Sequence, residues 1–101
     1  MSNSPVSLSI DQIRKELPTT WEVSTLDSVP RIIRIYKLPQ YLDGIKVLTI
    51  LANLANDMDH HPELLFSYNS VRVELYTHSL NGLSSFDLRF ATTAENLLSS
   101  L

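Results

Sequence analysis

The chain reads as an α+β domain in the order helix, two strands, helix, two strands, helix. Three observations predict this. Val71 to His78 alternates apolar and polar residues at period two, the mark of a half-buried strand. Pro39 to Met58 carries the longest apolar pattern at helical spacing. Two shorter helical segments, near the start and the end, each follow a serine with a polar partner three residues on.

In chain order, Ser9 and Gln12 form a capping box, Leu8 can staple to Ile13, and the helix they open runs to Leu17, where Pro18 stops it. Trp21 to Thr25 and Arg31 to Tyr36 alternate, with Asp27-Ser28-Val29-Pro30 as the turn between them, so a hairpin is expected. Pro30 suggests that the second strand starts at a sheet edge. Pro39 suits the first turn of the long helix. The apolar residues from Ile45 to Met58 span an arc of about 220°, roughly twice what one buried face requires. The excess predicts a second partner, most economically another copy of the chain. Asp59-His60-His61-Pro62 leaves that helix as a turn, because proline disfavours helix at the residue before it. Leu64 to Tyr68 is the third strand, Asn69-Ser70 a tight connection, and Val71 to His78 the fourth, with Val71, Val73, Leu75 and Thr77 on one face and Arg72, Glu74, Tyr76 and His78 on the other. Ser84 caps the last helix with Asp87 closing its box, Leu83 can staple to Leu88, and Phe86, Phe90, Ala94 and Leu97 form its apolar stripe.

Composition limits the function. A chain of 101 residues holds one domain, placed at 8–101 behind a flexible 1–7 segment. With no cysteine there is no disulfide framework, thiolate metal site or thiol nucleophile. The only glycines, Gly44 and Gly82, cannot build a phosphate cradle. A net charge of −3 with scattered Lys and Arg argues against direct nucleic-acid binding. No apolar run reaches the roughly 20 residues of a membrane span. Met1 to Pro5 lacks the basic and apolar regions of a signal peptide, so a cytoplasmic location is expected.

Three histidines then carry the chemistry available at neutral pH. His60 and His61 are adjacent and point apart, which argues against a metal site built from the pair. Cationic histidine at a helix C-terminus, favoured by the macrodipole, explains them equally well. His78 alone reads as a surface or interface residue. Asp59 could orient an imidazole or accept a backbone N–H, Asp87 is accounted for as a first-turn helix acid, and Trp21 fits a core position.

Taken together, however, Asp59-His60-His61-Pro62, Tyr68, His78 and Asp87 resemble the signature of the pterin-4a-carbinolamine dehydratases. The likeness extends from Leu8 onward, through Tyr68-Asn69 with Val71, Thr77-His78 and Gly82-Leu83-Ser84, and Trp21 falls where that family has a tryptophan. One position departs: four residues before His60 the family usually carries an ionisable residue, often Glu, and here stands Asn56.

The resemblance implies a four-stranded antiparallel sheet with three helices on one face, assembled as dimers or tetramers through the 39–58 helix and sheet edges. It implies removal of water from a 4a-hydroxytetrahydropterin to give quinonoid dihydropterin, with no metal or organic cofactor. His60 and His78 would be the acid/base pair and His61 a pterin-binding residue, with Asp59, Pro62, Trp21, Thr77 and Asp87 orienting or binding. Some similar animal proteins also act as dimerisation cofactors of a homeodomain transcription factor. That alternative would use Leu51, Leu54 and Met58 of the long helix and add the nucleus as a location.

Overall fold

The computed structural model describes residues 4–26 and 28–99. Asp27, from the expected turn, lies outside the described residues. The elements are α1 (Ile10–Glu16), β1 (Glu22–Ser24), β2 (Arg31–Lys37), α2 (Tyr41–Met58), β3 (Glu63–Ser67), β4 (Ser70–Leu75), a short 3₁₀ turn (His78–Leu80) and α3 (Ser85–Leu98). The four strands form one antiparallel sheet in the order β1-β2-β4-β3. The α+β class and the αββαββα order are as the sequence predicts.

Strand phase decides where the core lies. Ile32 pairs with Leu75 and Tyr36 with Val71, and these four side chains share the buried face with Val73. Against that face pack Val47, Leu51, Leu54 and Ala55 of α2 and Phe90, Ala91 and Ala94 of α3, with Ile13 of α1 fully buried. Gly44 lets α2 lie close on β3: a Cβ there would strike the Phe66 ring. At the far end of α3, Glu95 Oε1 accepts from Trp21 Nε1 (2.9 Å), Arg34 Nε (2.7 Å) and the Tyr36 hydroxyl (3.2 Å), tying β2 and the segment before β1 to α3.

Several expectations need correction. Pro30 precedes β2, but β2 is an interior strand; the proline sits just outside both of its ladders and so costs no sheet hydrogen bond. Pro39 stands before the N-cap, Gln40, rather than inside the first turn. The β3–β4 turn is Tyr68-Asn69, because Ser67 pairs with Ser70. Leu98, not Leu97, completes the buried stripe of α3. Leu51 and Leu54 face the core, so they form no docking surface; the apolar residues α2 exposes are Tyr41, Leu42 and Ile45 near its start. Much of the wide apolar arc is thus absorbed within the chain, since Leu48, Ile50 and Met58 also pack on the core.

Residues 6–8 run beside 83–85, with Leu8 N–H on Leu83 O (3.0 Å) and Ser85 N–H on Val6 O (2.9 Å). Among the described residues no helix is long and apolar enough to cross a membrane.

Candidate active site at two helix ends

The histidines come from two local motifs. Asp59 takes the left-handed conformation (φ 49°, ψ 44°) at the end of α2, a state short polar residues tolerate. The N–H of His60 then closes on Ala55 O (3.0 Å), which ends the helix and turns the chain. His78 belongs to a second motif. The strand ends at Leu75, and Thr77 makes an isolated bridge to Gly82, with Thr77 N–H on Gly82 O at 2.9 Å. His78 therefore opens a 3₁₀ turn instead of continuing β4, which corrects the strand placement.

The first turn of α3 supplies the anchor. Ser84 is its N-cap and Asp87 closes the capping box, accepting Ser84 N–H at Oδ2 (2.9 Å). The same Oδ2 accepts the Thr77 hydroxyl at 2.8 Å. Thr77 has given away its one proton, so in its 2.6 Å contact with Ser84 Oγ the serine donates. The other oxygen, Oδ1, lies 2.7 Å from His60 Nε2. Ser84 and Asp87 are fully buried and Thr77 and His60 nearly so. A carboxylate only accepts, so Nε2 donates and Nδ1 of a neutral ring carries the lone pair.

His61 and His78 are exposed. Nε2 of His61 lies 3.1 Å from Asn56 Oδ1, so the Asn56 amide meets a histidine. The His78 ring stacks on Tyr76 with centroids 4.3 Å apart and planes at 27°. An open cleft of about 360 Å³ is lined by His60, His61, His78, Asp59, Phe86 and Pro5, among others. A smaller one of about 140 Å³ adjoins it, sharing His61 and His78 and adding Arg31, Glu74 and Tyr76. Partial burial works to raise the Glu74 carboxyl, but hydrogen bonds and charge from Arg31 and Arg72 outweigh it and hold the group below its ordinary range. A cleft of similar size, about 380 Å³ beside Lys37 and Lys46, contains no histidine; the histidines set the first apart.

The structure thus gathers His60, His61, His78, Asp59, Thr77 and Asp87. The carboxylate that faces His60 is Asp87; Asp59 is exposed at the rim. Trp21 is not brought in: it is buried on Glu95, about 12 Å along α3 from Asp87. Pro62 is half-buried at the entry to β3. Tyr68 is exposed at the opposite end of β3, beside Tyr41. Sequence reasoning missed Phe86, whose ring stands edge-on to His60 at 5.9 Å. Period-two spacing put Tyr76 on the face of His78, and the two rings stack although His78 has left the strand. Among the described residues no three or more His, Asp or Glu side chains are placed so that they could hold a metal ion together.

Comparison with known proteins places the chain in a family. A relative from Chlorobium limicola, named "Putative pterin-4-alpha-carbinolamine dehydratase", is 33% identical over 95% of this chain and 85% of its own. One of the same name from Legionella pneumophila (strain Corby) is 34% identical, covering 91% and 82%. A solved structure of a "transcriptional coactivator/pterin dehydratase" from Brucella melitensis superposes with a TM-score of 0.76 at 27% identity, covering 87% of this chain and 90% of that one. A pterin dehydratase-like protein identified as a RuBisCO assembly factor in the alpha-carboxysome shares the fold, with a TM-score of 0.64 at 20% identity over 77% and 88%. Residues 6–97 match the family described as pterin 4 alpha carbinolamine dehydratase, and the chain belongs to that family.

Proposed function

We propose that the histidine cleft dehydrates a pterin-4a-carbinolamine to a quinonoid dihydropterin, returning oxidised tetrahydropterin to the pool used by aromatic amino-acid hydroxylases. The observation that carries the proposal is the convergence of His60, His61 and His78 on one cleft, with His60 set on a buried carboxylate.

Hydroxide leaves carbon poorly, so an acid must protonate the 4a oxygen, and the C4a–O bond then breaks to release water. A base removes the N5 proton, and its electron pair forms the C4a=N5 bond. The balance needs proton transfers alone. Imidazole, with a reference pKa of about 6.5, serves as either acid or base near neutrality, and such transfers are worth about 10²–10⁴ in rate. In this reading His60 and His78 exchange the protons. Asp87 fixes the His60 tautomer, and Thr77 and Ser84 hold Asp87. His61, oriented by Asn56, binds the pterin.

A protein-binding role for α2 is the second reading, favoured by the exposed Tyr41, Leu42 and Ile45. Its first expected occupant is another copy of the chain.

Stopped-flow dehydration of synthetic carbinolamine tests the activity. Wild type should far outrun the His60→Ala, His78→Ala double variant. Equal, slow rates for the two sink the assignment.

A further inference from the structure

We propose that Tyr76 is a positioning residue for His78, and that Arg31 and Glu74 hold Tyr76 in place. The inference rests on the dehydratase reading and extends it to residues outside the histidine set.

The three histidines are restrained in different ways. His60 is bonded to Asp87 and His61 to Asn56. His78 is exposed, and among the described residues no hydrogen bond reaches its ring; what the ring has is the face of Tyr76, 4.3 Å away and nearly parallel. Tyr76 in turn lies under the Arg31 guanidinium, 5.1 Å from the ring centroid. Arg31 Nη1 donates to Glu74 at 2.6 Å, and the other oxygen of Glu74 accepts from Arg72 at 2.6 Å. The chain of contacts thus runs from a half-buried ion-pair cluster on the sheet to an exposed imidazole at the mouth of the cleft. Arg31, Glu74 and Tyr76 also wall the smaller cleft that shares His61 and His78.

An exposed histidine without this support samples three χ1 wells and two broad χ2 wells, so it would spend only about one-sixth of its time in any one of them. Stacking keeps the ring in one orientation, and the aromatic face does this without competing for a ring nitrogen needed in proton transfer. Removing it lowers the fraction of productive encounters, which appears in kcat. A substrate-contacting role would appear in KM instead.

The test is stopped-flow kinetics on Tyr76→Ser and Tyr76→Phe, with NMR of the His78 ring protons. The expected result for Tyr76→Ser is a loss of about sixfold in kcat at unchanged KM, with those protons moving downfield as the ring current is lost. Tyr76→Phe should restore both, because the stack needs the ring and not the hydroxyl. Should Tyr76→Ser fail to fold, Tyr76→Leu keeps the bulk without the aromatic face, and the same sixfold loss is expected. Unchanged kcat, a change confined to KM, or a Phe variant as slow as Ser overturns the role. An inactive wild type overturns the dehydratase reading and this role together, whereas an active wild type with an unaffected Tyr76→Ser overturns only the role.

Discussion

Asp87→Asn is the most informative single change, because it separates holding the fold from setting a tautomer. In the native site Oδ2 accepts Ser84 N–H and the Thr77 hydroxyl, while Oδ1 faces His60 Nε2 at 2.7 Å. The isosteric amide has one acceptor oxygen. Two donors compete for it on the capping side, so the carbonyl stays there and the NH₂ turns to His60. Nε2 must then accept, and the proton of the neutral ring moves to Nδ1. The bond to His60 alone falls from a charge-assisted one, worth about 1.5–3 kcal/mol, to a neutral one of about 0.5–1.5, and the bonds from Ser84 and Thr77 lose the same charge, so a loss of about 1–2 kcal/mol is the minimum. For a domain of this size that lowers Tm by about 4–16 °C. The rate should suffer far more, by about 10² or greater, since a proton now sits on the nitrogen that proton transfer requires. Urea unfolding gives the first quantity and stopped-flow dehydration the second. Asp87→Ala would orphan three buried donors at about 1–3 kcal/mol each, much of a small domain's stability, so Asn is the variant to measure. An Asp87→Asn protein that keeps the wild-type kcat refutes the assignment of His60 as a proton carrier set by Asp87.

Other outcomes follow from the same geometry. Asn56→Leu should raise KM about fivefold with kcat held, the worth of one neutral hydrogen bond to His61, as steady-state kinetics would show. Gly44→Ala should cost up to about 2 kcal/mol in urea unfolding, because contact with Phe66 outweighs a helix-propensity gain of about 1 kcal/mol. Burial works to raise the Glu95 carboxyl, but hydrogen bonds from Arg34, Thr20 and Tyr36 with the Arg34 charge outweigh it, so the carboxyl loses its proton more readily folded than unfolded. Its stabilising share is therefore complete above the unfolded value of 4.5 and fades as pH falls through the folded value; unfolding measured from neutral to acid pH should show this loss, and Glu95→Gln should flatten it. Ile45→Glu with Leu42→Glu should lower the mass found by sedimentation, if copies of the chain meet on the exposed start of α2.

How far the sequence could go is clearest in the capping boxes. Ser9 with Gln12 and Ser84 with Asp87 both form as expected, because each is settled within four residues. Strand phase was equally legible: Val71, Val73, Leu75 and Thr77 all point inward. What local pattern could not show was where β4 ends. The alternation runs unbroken through His78, but the Thr77–Gly82 bridge closes a loop, and closure, not propensity, turns His78 out of the strand. The docking residues assigned to α2 failed for a related reason. An arc of about 220° says that more than one partner exists. It does not say that α3 and the sheet are already two, and they bury Leu51 and Leu54.

Asp87 is the instructive case, because its helix-capping role is legible in the sequence and correct, yet accounts for only part of the residue. An ionised carboxylate has about four acceptor positions, and capping α3 uses one of them. A residue explained by the fold is exhausted only when each of its polar atoms is explained. Oδ2 serves the helix and Thr77, which leaves Oδ1 for a partner that lies 27 residues away in sequence and is brought in only by the reversal at Asp59. Because one carboxylate closes the start of α3 and faces the residue just past the end of α2, the two helix ends are held together at the histidine cleft. Loss of the cap and loss of the His60 orientation should therefore be coupled, and a variant that loosens the first turn of α3, such as Ser84→Ala, should disturb His60 although the serine never touches it.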